Sequence, residues 1–252
     1  MGESFWQFRR YASEDPASAI DWRQSAKSQH LFVREREWEA AQAVWFWRDA
    51  SATMQYKSPL AEITKCGRAT VLALALSSLL LRGGERVALL GRGERPWSGR
   101  TALPRIAEVM AEAPAQETAL PPDAPFGRNA QIVWLSDFLS PRADIEAALN
   151  RLSSAGACGH LVHIIDPAEE DFPFEGRTRF EWLGQSQSEL FGRAEFVRES
   201  YRERFIAHGE EVSTLARRLG WTYLAHRTDN RPALALLALY SAIGGEAERR
   251  TG

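Results

Sequence analysis

The sequence predicts an α/β protein built on a doubly wound, mainly parallel sheet. Three observations carry that expectation. Short apolar runs, Val44-Trp45-Phe46-Trp47 and Gln131-Ile132-Val133-Trp134-Leu135 among them, are hydrophobic on both alternations, as strands covered on both faces must be. Such runs recur as RVALL (86–90) and GHLVHII (159–165), and stretches with helical spacing separate them. That alternation of strand and helix is the pattern of parallel βαβ units.

The 252 residues suffice for one such domain with an attached segment, and 44% hydrophobic content supports a proper core. A net charge of −2 gives no reason to expect nucleic acid as the main partner. Cys66 and Cys158 fit no zinc spacing and read as free thiols. The run Ala69 to Leu81 is shorter than the about 20 apolar residues a bilayer span needs. The start MGESFWQFRR has no apolar h-region. Cytoplasm is therefore the expectation.

Residues 1–40 form an aromatic and basic segment, expected to pack on the sheet, in which LFVREREW (31–38) has partial strand alternation. Residues 41–245 are the α/β domain and 246–252 a disordered tail. Within the domain, the central strand at 44–47 runs into the loop DASATM (49–54). A helix over 60–82 is stopped by Gly83-Gly84. RVALL follows, then a loop containing GRGER, a helix over 101–113 and a proline-rich connector over 114–130. The strand QIVWL ends in Ser136-Asp137, and after a helix over 141–155 GHLVHII ends in Asp166-Pro167. An acidic, aromatic stretch covers 168–191. A charged amphipathic helix over 194–219, a strand over 221–225 and a helix over 232–243 complete the chain.

The loop after the central strand is the chemical focus. Asp49, Ser51 and Thr53 stand at every second residue where open α/β sheets place their ligands. One carboxylate and two hydroxyls suit a hard cation such as Mg²⁺. The bland alternative is that the three side chains cap the next turn. Asp137 ends a second buried strand and offers a second carboxylate. A haloacid-dehalogenase-type phosphatase would need an acid where Ser51 stands, and a hydroxyl cannot protonate a leaving group as a carboxylic acid does. GRGER lacks the endings of the phosphate-binding motifs and reads as an ordinary loop. His160 and His163, three apart on one strand, point to opposite faces and do not chelate together.

The stretches GESFWQFRRY, AIDWRQSAK, LFVREREWE and DASATM occur in that order and resemble the bacterial family called domain of unknown function 58. The chain is correspondingly similar to von Willebrand factor A-like domains with a metal-ion-dependent adhesion site. The resemblance implies that Asp49, Ser51 and Thr53 form the first metal loop, that Asp137 acts partly through water, and that Thr101 supplies a further ligand. Phe138 follows Asp137 where many A domains have glycine. It also implies a MoxR-type AAA+ ATPase as partner.

The expectation from residues and resemblance together is a non-enzymatic binding module. Its Mg²⁺ or Mn²⁺ keeps one position open for a carboxylate of an acidic client protein. The alternatives are a metal-dependent phosphoester hydrolase using the same aspartates, and a metal-free adaptor that binds through aromatic residues such as Trp6 and Trp22.

Overall fold

The computed structural model describes residues 6–10, 25, 31–36, 43–92, 95–99, 101–112, 119–127, 130–181 and 187–251. The chain divides into two compact units, Met1–Gln42 and Ala43–Gly252. In the first, β1 (Trp6–Arg10) and β2 (Phe32–Arg36) pair antiparallel as a sheet of their own, with Phe8 opposite Arg34. The motif Asp21-Trp22-Arg23 lies outside the described residues.

The second unit is organised by a five-stranded sheet. Its strands are β3 (Ala43–Arg48), β4 (Arg86–Leu89), β5 (Gln131–Ser136), β6 (Cys158–Ile165) and β9 (Thr222–Arg227). They lie in the order β4-β3-β5-β6-β9 and every neighbouring pair is parallel. This is the expected α/β class. A separate antiparallel pair, β7 (Thr178–Glu181) and β8 (Ser188–Phe191), forms within the acidic, aromatic stretch.

The central strands are buried on both sides because helices cover both faces. Val44 and Phe46 point with Val133 and Leu135 into one core, which α1 (Lys65–Gly83), α2 (Ala102–Glu112) and α6 (Pro232–Thr251) close with Leu72, Leu76, Ile106 and Leu239. Trp45 and Trp47 point with Ile132 and Trp134 into the other. There α3 (Arg142–Ser154) and α5 (Arg198–Arg218) supply Ile145, Leu149, Val212 and Leu215. The period-two alternation of a strand thus splits one continuous hydrophobic run between two cores.

Two boundaries differ from those the sequence suggests. Helix α1 begins at Lys65, not Leu60, because the Thr64 hydroxyl accepts the backbone N–H of Gly67 and caps the first turn. Residues before it form turns, with the Ala61 N–H donating to the Ser58 carbonyl. At the other end of the chain, α6 continues to Thr251, through the stretch read as a disordered tail.

The strand order places the site. Counted along the sheet's own chain order, β4-β3-β5-β6-β9 is the 2-1-3-4-5 arrangement, whose connections leave β3 and β5 in opposite directions. A crevice opens at the carboxyl ends of two such strands, and ligands bind there. Asp49 follows β3 and Asp137 follows β5.

Candidate functional site

Asp49 sits immediately beyond β3, and its backbone N–H donates to the Leu135 carbonyl at 2.9 Å, extending the β3–β5 pairing by one bond. Its side chain is fully buried. Oδ1 accepts the Ser51 backbone N–H at 2.8 Å, and Oδ2 accepts the Ser136 hydroxyl at 2.7 Å. Burial pushes the Asp49 carboxyl up to about 6, and repulsion from Asp137 adds to the rise, against the lowering by the Ser51 and Ser136 hydrogen bonds. Among the described residues no lysine, arginine or histidine forms an ion pair with Asp49.

Ser51 precedes a short 3₁₀ turn, Ala52–Gln55, yet its side chain makes no capping bond. The Ser51 and Thr53 hydroxyls face one another at 3.1 Å instead, and both side chains are partly exposed. The capping alternative is realised in part, by Asp49 accepting Ser51 N–H, but it leaves both hydroxyls unused for capping.

Asp137 is 1% exposed. Its Oδ1 accepts the Leu139 N–H at 3.2 Å and its Oδ2 accepts the Lys65 ammonium at 2.9 Å. Phe138, next in line, is held at φ 52°, a conformation L-residues seldom adopt and glycine adopts freely. Three contacts hold it there. Its N–H donates to Ser136 Oγ, its carbonyl is hydrogen-bonded to His208 Nε2 at 2.7 Å, and its ring packs on Trp134 and His163. Such a retained outlier at a strand end is a mark of functional loops.

Lys65 is the residue that sequence reasoning missed. It lies in the first turn of α1, is fully buried, and reaches Glu169 Oε1 at 2.5 Å as well as Asp137. Burial pulls its ammonium toward the neutral form, but the charges of Asp137 and Glu169 outweigh burial and hold it protonated. Glu169 in turn is fixed by α4 (Pro167–Asp171): its Oε2 accepts the Asp166 N–H in a capping box, while Asp166 accepts the N–H groups of Ala168 and Ser58. The sequence signal was present as Asp166-Pro167-Ala168-Glu169, but it announces a helix start and not a lysine partner.

Thr101, the further ligand that the resemblance implies, stands immediately before α2. It is an exposed turn residue, and no hydrogen bond joins it to Asp49, Ser51, Thr53 or Asp137 among the described residues. The two strand histidines have separate partners, His160 with Thr222 and His163 with Tyr223. Cys66 and Cys158 are free thiols. The described residues hold no group of three or more histidine, cysteine, aspartate or glutamate side chains able to bind a metal.

A five-stranded parallel sheet in 2-1-3-4-5 order, with an aspartate following each of the two strands at its switch point, defines a doubly wound α/β module. Within that class, the chain belongs to the family described as protein of unknown function DUF58, whose model matches residues 7–211. It is 27% identical over 242 residues to uncharacterized proteins of Mycobacterium tuberculosis and Mycobacterium bovis, covering 88% of this chain and 73% of theirs. Among solved structures it is similar to an aerotolerance-related membrane protein from Bacteroides fragilis, at 13% identity and TM-score 0.48, covering 81% of this chain and 99% of that one. It is also similar to the VWA domain of SpRpn10, at 10% identity and TM-score 0.40, covering 78% and 94%.

The cytoplasmic expectation is withdrawn: the similar Bacteroides fragilis structure is of a protein named as a membrane protein. The apolar run Ala69 to Leu81 is only part of its helix. The helix that contains it, Lys65–Gly83, has 19 residues and is long and apolar enough to cross a membrane by length and composition. Here its apolar side is buried against the sheet, so the helix carries no information on location.

Proposed function

We propose that this chain is a non-enzymatic protein-binding adaptor whose contact point is the loop cluster at the ends of β3 and β5. The observation that carries the proposal is Asp49: a fully buried carboxylate with no ion-pair partner among the described residues, beside two partly exposed hydroxyls. A carboxylate in that state gains from a nearby cation. The hydroxyl separation of 3.1 Å is close to the about 3.0 Å edge of an octahedron with 2.1 Å metal–oxygen bonds. The residues therefore fit Mg²⁺ or Mn²⁺, held by Ser51 and Thr53 with Asp49 and Asp137 acting through water. The bound ion would supply an electrophilic point for a partner's carboxylate.

The residues around it favour binding over catalysis. Both Asp49 oxygens are committed to Ser51 and Ser136, which orients the carboxylate and withholds it from attack on a substrate. An open groove bordering the loop is lined by Arg48, Ala50, Gln55, Gly67 and Thr70. Among the described residues its one cationic side chain is Arg48, which suits an acidic client. The family resemblance supports a MoxR-type AAA+ ATPase as the working partner.

The test is calorimetric titration of Mg²⁺ and Mn²⁺ into wild type and Asp49→Ala, both checked by circular dichroism. Capture of a purified MoxR-type ATPase with and without chelator then follows. Saturable metal binding and chelator-sensitive capture, both lost in the variant, are expected. Capture that neither chelator nor Asp49→Ala changes refutes the proposal.

A further inference from the structure

Lys65 has no packing reason to be where it is. A buried ion pair contributes little over well-packed apolar residues, and the amino-terminal turn of a helix, the positive end of its dipole, is an unfavourable place for a cation. Yet the ammonium is fully buried in the first turn of α1. It bridges two carboxylates on different strand–helix connections, Asp137 after β5 and Glu169 after β6. Asp137 is also the carboxylate whose charge reaches Asp49. One side of the strand-end cluster thus has a cation built into the chain, while Asp49 on the other side has none among the described residues.

We propose that Lys65 is the resident cation of this site, its ammonium taking Asp137 in competition with a divalent ion, with Glu169 as the anchor that keeps the lysine when Asp137 is released. The inference rests on the metal-binding reading above. Two properties of the geometry support it. Asp137 has its Oδ1 on Leu139 N–H and its Oδ2 on Lys65, so a divalent ion gains that carboxylate's full charge only after the ammonium withdraws. Glu169 is fixed independently of Lys65, through Asp166 N–H, and so remains in place to hold an ammonium that has let go of Asp137. The strand ends are then set to bind metal weakly until something, such as a partner's carboxylate completing the coordination, tips the exchange.

Mn²⁺ titrations of the full chain test this, with wild type, Lys65→Met, the double variant Lys65→Met/Glu169→Gln, and each lysine variant combined with Asp49→Ala. The double variant removes one cation and one anion, so the buried net charge equals that of wild type and the fold is protected. Both lysine variants are expected to bind Mn²⁺ about tenfold or more tightly than wild type, about 1.4 kcal/mol or more, and to lose binding when Asp49→Ala is added. Binding by the lysine variants where wild type shows none also supports the proposal. Wild-type binding that the lysine variants leave unchanged or weaken overturns it and leaves the metal site standing. No binding by any protein overturns both. A readout free of substitution is the ammonium NMR signal of Lys65 in wild type. That signal is expected to shift as Mg²⁺ saturates, and a signal that stays fixed at saturation overturns the exchange.

Discussion

Replacing Asp49 with asparagine separates a carboxylate kept for binding from one kept for the fold. In the folded chain this carboxyl is raised from 3.8 to about 6. An acid whose folded value is raised stabilises the protein while protonated, and that contribution is lost as pH climbs from about 4 to about 6. Above pH 6 the charged, desolvated group costs about 3 kcal/mol relative to its unfolded state at 1.36 kcal/mol per unit. Asparagine carries no such cost. Its oxygen can accept Ser51 N–H as Oδ1 does now, and its amide can donate to Ser136 Oγ, because a hydroxyl both donates and accepts. In chelator at pH 7.5, urea denaturation should therefore show Asp49→Asn more stable than wild type by about 2–3 kcal/mol. The gap should close toward zero by pH 4. Mn²⁺ should narrow the gap at tenfold excess over the dissociation constant, where only wild type gains about 1.4 kcal/mol of binding free energy, and reverse the order at about thousandfold excess, where the gain is about 4.1 kcal/mol. If Asp49→Asn is the less stable protein at every pH in chelator, Asp49 is a structural anchor and the functional argument built on it fails.

Other substitutions probe the surroundings. Lys65→Met strands the Asp137 and Glu169 charges in a buried site and should cost about 3–5 kcal/mol by denaturant melting, with added Glu169→Gln recovering part. His163 is held down to about 3 by burial and His226 to about 4, so each stabilises the fold above pH 6.5 and loses that contribution as pH falls. Urea midpoints of Asp49→Asn should then drop steadily from pH 7 to 5, and more steeply than those of wild type, in which Asp49 gains stability over the same window. Gly159→Ala would place its Cβ 2.5 Å from both the Ile132 carbonyl oxygen and the Trp221 ring. It should lower stability by about 1–3 kcal/mol, read as a shift in melting temperature.

The fold was legible because its strands are short enough to be read one residue at a time. Val44 and Phe46 against Trp45 and Trp47 already show a strand with two covered faces, and Asp49 and Asp137 mark where two such strands end. Position along a strand is local information. What the structure adds is pairing at a distance: Lys65 lies 72 residues from Asp137 and 104 from Glu169. In the sequence it is only the polar first residue of an apolar helix. The His208 contact with the Phe138 carbonyl spans 70 residues and is hidden for the same reason. Thr101 is a different case. It came from a resemblance in a variable loop, where no strand end fixes the position, and no bond ties it to the cluster. The misplaced start of α1 shows propensity overruled by a cap, since Leu60 to Ile63 could continue a helix but Thr64 begins it.

The two strand-end aspartates have opposite electrostatic solutions, and that asymmetry is the strongest pointer to function. A protein needing only a stable sheet end would neutralise both or replace both with apolar residues, because buried charge is costly and a buried pair returns little. This chain neutralises Asp137 with Lys65 and leaves Asp49 buried without an ion pair among the described residues. The hydroxyls of Ser51 and Thr53, partly open to solvent, stand on the uncompensated side. The destabilisation concentrated at Asp49 is available to whatever cation or cationic partner group relieves it. In the proposed exchange the lysine would set how much of that gain a divalent ion can collect without help. Under the proposed exchange, weak metal binding by the free chain and strong binding in complex would be two consequences of one arrangement, and both would depend on Lys65 being a lysine.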